Sequence, residues 1–132
     1  MISVLNFITE AKTFYISTTD GTKPRVRPFG FIMEHKGKLY FCTSNQKAVY
    51  KQLTSHPFFE ICAMSGNGQW IRIQGKAVFD SNISAKAKAF EVMPNLSSIY
   101  NSPDNPAFEV FYISEGVATF YSFTDEPKTI SF

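Results

Sequence analysis

The spacing of apolar positions changes several times along the chain, and each change marks an element. Val4, Leu5, Ile8 and Ala11 recur at helical spacing, so the chain opens with a short amphipathic helix. Phe14-Tyr15-Ile16-Ser17-Thr18-Thr19 is rich in aromatic and β-branched types and predicts a strand. Asp20-Gly21 supplies a hairpin turn, since Gly tolerates the positive φ a tight turn needs. A second strand is expected over residues 25–33, a turn at His35-Lys36-Gly37-Lys38 and a third strand at Leu39-Tyr40-Phe41-Cys42, together a meander. Val49 and Leu53, four apart, share the face of a helix that Pro57 must end. Residues 58–64 are strand-like and Ser65-Gly66-Asn67-Gly68 is a turn. Residues 70–79 alternate. Ile71, Ile73, Ala77 and Phe79 face one way and Trp70, Arg72, Gln74 and Lys76 the other, with Gly75 marking a bulge or a close backbone approach. Ile83, Ala87 and Phe90 return to helical spacing, with Asn82 as cap and Pro94 as stop. Residues 94–106 form a proline-punctuated loop with one helical turn at residues 96–100. Two last strands, residues 108–113 and 117–123, flank a turn at Ser114-Glu115-Gly116. Seven strands in short meanders with few helices give a mainly β fold, a closed or partly closed barrel that leaves few exposed edges.

Composition sharpens that picture. The 132 residues show no repeat, low-complexity tract or linker, so one domain over residues 1–132 is expected. Aromatics make up 16% and 14 of them are Phe, which implies either a dense aromatic core or an apolar cleft for a flat ligand. Charged residues are 18%, below the usual quarter or so, and a subunit interface is the plainest reason for so apolar a surface. A net charge of +2 without a clustered basic stripe argues against a nucleic-acid surface. No apolar run approaches the roughly 20 residues of a membrane span. The start, Met1-Ile2-Ser3-Val4-Leu5-Asn6-Phe7, lacks the basic region and cleavage site of a signal peptide, so a cytoplasmic location is expected. Cys42 and Cys62 sit in apolar segments and read as buried free thiols rather than a disulfide or redox pair.

Candidate chemistry gathers at three places. The first is the turn at Thr43-Ser44-Asn45-Gln46-Lys47, read as the N-terminus of a helix over residues 43–53. Helix N-termini hold unpaired N–H groups and the positive end of the dipole, so an anion is stabilised there. Lys47 opposes that dipole, and a bound phosphate would resolve the conflict. The competing reading is a Thr43–Gln46 capping box with Lys47 in water. The second is Lys23-Pro24-Arg25-Val26-Arg27-Pro28, where Arg25 and Arg27 share one strand face. Pro28 lacks an N–H and marks an edge or bulge. If this strand pairs with the next, the two arginines border the same cleft; otherwise they are a solvated face. The third is Trp70, on the polar side of its strand, which packs under another segment, another subunit or a ring-shaped ligand. His35 and His56 have no partners at metal-ligand spacing. No Gly-rich phosphate loop, nucleophile elbow or carboxylate pair stands out. A bound cofactor would supply chemistry that these side chains lack.

These motifs, in this order, resemble the pyridoxamine 5′-phosphate oxidase-like family. They are Arg25-Val26-Arg27-Pro28, Leu39-Tyr40-Phe41-Cys42-Thr43-Ser44-Asn45-Gln46-Lys47 with Lys51-Gln52-Leu53 and His56-Pro57, and Trp70-Ile71-Arg72-Ile73-Gln74-Gly75-Lys76-Ala77. The resemblance covers nearly the whole chain and implies the FMN-binding split β-barrel, a homodimer and flavin at the subunit interface. Cofactor-binding positions carried over are Arg25, Val26, Arg27 and Pro28 along the ring, and Cys42, Thr43, Ser44 and Lys47 at the phosphate. Gln69 or Trp70 approaches the flavin held by the other subunit. Pyridoxamine phosphate oxidases proper carry two adjacent cations in the phosphate turn, where this chain has Lys47-Ala48. They have a Lys five positions after the first arginine, where this chain has Gly30. Their C-terminal Arg- and His-containing segment has no counterpart in residues 122–132. The resemblance is therefore to the short, general members.

What it implies is an FMN-dependent oxidoreductase that acts on a small molecule by hydride transfer through flavin, with no residue assigned as catalytic acid or base. FAD, deazaflavin and haem are alternative cofactors, and a non-catalytic flavin- or haem-binding sensor or carrier is the alternative function. A third reading, an oligonucleotide-binding barrel with aromatic stacking platforms, conflicts with the weak basic charge.

Overall fold

In the computed structural model, which describes residues Met1–Phe132, four helices and eight strands follow in order. They are α1 (Ile2–Ala11), β1 (Phe14–Asp20), β2 (Lys23–Phe29), β3 (Met33–His35), β4 (Lys38–Ser44) and α2 (Ala48–Ser55), then β5 (Phe58–Met64), β6 (Trp70–Asp80), α3 (Ile83–Val92), α4 (Leu96–Tyr100), β7 (Phe108–Tyr121) and β8 (Lys128–Ser131). Neighbours pair in the order β2-β1-β5-β6-β7-β4-β3, all antiparallel, with β8 added to the second half of β7. The two outermost strands, β2 and β3, are consecutive in sequence. From Phe29 to Met33 the chain can reach at most about 14 Å (four steps of roughly 3.5 Å), so the edges lie side by side and the sheet is rolled into a split barrel.

Inward positions fill the barrel. Phe14, Ile16, Phe41, Ile61, Ile73 and Phe111 belong to its core, and the ring of Phe41 lies 5.8, 6.1 and 5.4 Å from those of Phe14, Phe59 and Phe111. Much of the Phe content is thus core, as one of the two sequence readings had it. Val4 and Ile8 of α1 and Val49 and Leu53 of α2 also enter this core. A second cluster forms where α3 and α4 cover β3, β4 and β7, with Ala85, Ala89, Leu96 and Tyr100 against Met33, Tyr40, Phe108 and Val110. No helix is long and apolar enough to cross a membrane.

The sequence reading holds for α1, β1, both early turns, β5, β6 and the Asn82 cap, whose side chain accepts from the Ser84 N–H at 2.9 Å. Gly21 and Gly37 do adopt positive φ, at 63° and 77°. It fails where the barrel bends. The strand expected over residues 25–33 breaks at residues 30–32, because the chain must leave β1 and cross to β4. The two expected last strands are one: Glu115, at φ 55°, lies in a bulge opposite a register shift between Gln74 and Lys76, and β7 runs through it. The expected pairing of the second strand with the third, which would border a cleft with both arginines, does not form; β2 pairs with β1. Helix α3 buries Ala85 and Ala89, not Ile83, which is 55% exposed, because small residues let the helix approach the sheet closely. Cys62 is exposed on β5, against the expectation of a buried thiol; both cysteines are free. Strand β8, where no strand was expected, is too short to show a period.

Candidate functional site

Helix α2 begins later than the capping-box reading requires. Strand β4 continues through Thr43 and Ser44, and the helix starts at Ala48 with Lys47 as its extended N-cap, φ −91° and ψ 151°. Thr43 and Gln46 form no capping box. Instead the Ser44 hydroxyl accepts from the Gln46 N–H at 3.2 Å, and the Asn45 amide donates to the Pro106 carbonyl and to Glu109 at 2.7 and 2.9 Å. The turn is therefore pinned to the start of β7. The first turn of α2 has no side-chain cap and no acidic residue, and Lys47 is exposed at its positive end. The Thr43 hydroxyl is buried without a partner, a costly state unless something outside the chain meets it. Cys42 points the other way, into the cluster under α3 and α4; burial pushes its thiol up to about 12, with Lys47 pulling it down.

The two arginines differ. Arg25 is exposed and pairs with Asp20 at 3.3 Å, a contact worth little in water. Arg27 is half-buried and donates from Nη1 to the Ile16 carbonyl at 3.2 Å and the Thr18 hydroxyl at 2.7 Å, and from Nη2 to Gln52 Oε1 at 2.7 Å. Burial lowers its pKa. Gln52 is on α2, so the second half of that helix, rather than any pairing of β2 with β4, packs against β2, and Lys47 at the helix start stands five positions away, about 7.5 Å along the axis. Val26 and Pro28 occupy the opposite, outward side of β2 and are exposed. Thr18 and Gln52 were not singled out in the sequence. The signal was present: Thr18 is a hydroxyl at an inward position after Phe14 and Ile16, and Gln52 borders the Val49–Leu53 face.

Within one chain, Gln69 and Trp70 are not brought to Arg27. Trp70 is three strands from β2, about 14 Å at roughly 4.8 Å per strand. It packs on its own chain, stacked on Tyr121 at 5.3 Å and tilted to Phe123 at 5.2 Å. Gln69 is exposed, and its carbonyl accepts from Ser65. Between these regions lies the outward sheet face, with rows Ser17–Glu60–Gln74–Val117 and Tyr15–Cys62–Arg72–Thr119. A groove of about 430 Å³ crosses it, lined by Ser17, Phe58, Glu60, Gln74 and Glu115 among others. No group of three His, Cys, Asp or Glu residues could hold a metal ion.

A family model described as pyridoxamine 5′-phosphate oxidase matches residues 3–115. No curated protein matches significantly. Among solved structures, a NimC/NimA family protein from Clostridium acetobutylicum is 40% identical with a TM-score of 0.96, covering 100% of this chain and 92% of that one. Two more distant structures share the fold. A pyridoxamine 5′-phosphate oxidase-related, FMN binding protein from Nostoc punctiforme is 15% identical, TM-score 0.66, with 99% and 94% covered. HutZ, the haem storage protein from Vibrio cholerae, is 13% identical, TM-score 0.67, with 86% and 87% covered.

Proposed function

The chain belongs to the pyridoxamine 5′-phosphate oxidase-like family, and on that premise we propose that it is an FMN-binding oxidoreductase acting on a small molecule, working as a homodimer. The observation that carries this reading is Arg27. A half-buried guanidinium bonded only to neutral acceptors has a charge the chain leaves uncompensated, and a phosphate is a matching counter-charge. The residues present fit the group in other respects. Lys47 adds a second cation at an uncapped helix start, and the Thr43 hydroxyl lacks a partner. The exposed outward face offers Val26 and Pro28 to a flat ring, and a second copy would bring Trp70 to the site.

In this arrangement Arg27 and Lys47 bind the phosphate and Thr43 contributes its hydroxyl, while Ser44, on the Cys42 face of β4, holds the turn through the Gln46 N–H. The outward strand face orients the ring, and the partner's copy of that face excludes water. When bound, FMN supplies hydride chemistry that none of these side chains can perform. No side chain of the site is assigned to move a proton. Absorbance near about 450 nm in the purified protein, or its appearance on adding FMN, is the expected result; a band near about 400 nm after haem addition instead would transfer the site to haem. Protein that takes up neither sinks the reading. Anaerobic reduction by nicotinamide nucleotides and reoxidation by candidate acceptors separates an enzyme from a carrier. Lys47→Ala is expected to weaken FMN binding by about 1.5–3 kcal/mol in a titration, and unchanged affinity would remove Lys47 from the site.

A further inference from the structure

The surroundings of Arg27 are unusual in what they omit. The protein forms three ion pairs, and Arg27 is in none of them. Asp20, at the end of β1, is engaged by Arg25 instead. Three donations from Arg27, to Ile16, Thr18 and Gln52, leave two of the five guanidinium N–H groups without a partner in the chain. Thr18, only 3% exposed, donates its hydroxyl hydrogen bond to Gln52 Oε1 at 2.6 Å while accepting from Arg27. Gln52 Oε1 therefore receives both donors and has no lone pair to spare. A glutamate at this position would reach the same two donors and would neutralise the cation. A tie serving only to fasten β2 to α2 would gain from that charge. The chain instead uses the uncharged isostere. Gln52 also lines an open groove of about 340 Å³ between the β1–β2 turn and α2, together with Lys51 and His56, so the network is not sealed from solvent.

We infer that Thr18 and Gln52 are positioning residues, a neutral cradle that holds Arg27 as an uncompensated cation and selects a phosphate-bearing ligand over its dephosphorylated form. The identity of the ligand as a flavin rests on the function proposed above; phosphate recognition stands apart from it and is tested apart.

The test compares wild-type protein with Gln52→Glu, titrating FMN and riboflavin by fluorescence and recording melting temperature with and without inorganic phosphate at constant ionic strength. Gln52→Glu should lose FMN affinity at least about tenfold, the scale of one charge-assisted contact, while binding riboflavin as wild type does and melting no lower. Thr18→Val should shift the FMN-to-riboflavin ratio in the same direction, and Thr18→Ser should restore it, which guards against a misfolded variant. Unchanged FMN affinity in Gln52→Glu, or equal losses for FMN and riboflavin, overturns the inference. If wild type takes up neither flavin, the flavin reading fails and the phosphate arm decides. Phosphate raising the melting temperature of wild type but not of Gln52→Glu then upholds the cradle, and no rise in wild type overturns it.

Discussion

At Tyr40 a buried phenol donates to the Asp80 carboxylate at 2.8 Å. Burial first, then the hydrogen bond and negative charge of Asp80, raise its pKa above the ordinary tyrosine value. A raised folded-state pKa means the unfolded chain ionises first as pH rises. The contribution of Tyr40 is therefore whole at neutral pH and declines above the ordinary value of about 10. Tyr40→Phe is expected to cost about 1–2 kcal/mol at pH 7, since it removes the bond and strips a partner from Asp80. It should also flatten the alkaline limb of a stability–pH curve measured by denaturant unfolding; an alkaline limb as steep as that of wild type would show that Tyr40 does not set it. Cations and hydroxyls could be picked out of the sequence one by one, as Arg27, Thr43 and Lys47 were. Which acceptors surround them could not. Thr18 and Gln52 are 34 positions apart, and only the packing of α2 across the end of the barrel makes them neighbours.

Strands and helices were legible wherever one period governed them, as in β1, β5, β6 and α1. Legibility ended where two local signals meant different things in three dimensions. Ser114-Glu115-Gly116 has the composition of a turn but is a bulge in one long strand, and only its partner reveals this, because Gly75 on β6 makes room for it. A Cβ on Gly75 would lie 2.4 Å from Ile113 Cγ1, 2.6 Å from its Cδ1 and 3.0 Å from the Ser114 carbonyl oxygen. Gly75→Ala is accordingly expected to destabilise the fold by about 1–3 kcal/mol, the range for overpacking. Most of that cost should vanish in an Ile113→Ala background, which clears the two carbon contacts and leaves the carbonyl one. A double-mutant cycle of chemical denaturation measures the coupling, and strictly additive losses would mean that the strain lies in the bulge backbone instead.

For the whole molecule, the outward sheet face is the surface that least resembles one made for water. Tyr15, Val26, Phe58 and Met64 are each more than half exposed. Polar residues here serve one another: Arg72 donates to Glu60 at 2.6 Å and Thr119 meets Thr129 at 3.0 Å. A standard interface takes about 800 Å² from each partner, roughly a tenth of the 7495 Å² this chain exposes. The homodimer proposed for function would use the outward face, and it would have to supply the meeting of Trp70 with Arg27 that the strand order prevents within one chain. Cys62, in the row with Tyr15 and Arg72, reports on this directly. Its thiol is exposed, though desolvation raises its pKa and slows it at neutral pH; it should react with a maleimide in dilute protein at mildly alkaline pH and become protected as concentration drives association. Cys42, half-buried under α3 and α4 and with its thiol pushed up to about 12, should be modified far more slowly than Cys62 and at a rate independent of concentration. Tyr15→Glu places a charge on the face, beside Cys62, without touching the core, so it should leave Cys62 reactive at all concentrations and lower FMN affinity with it. Labelling of Cys62 that ignores concentration, with sedimentation of a monomer, would remove the second copy from the site and leave Trp70 without a part in it.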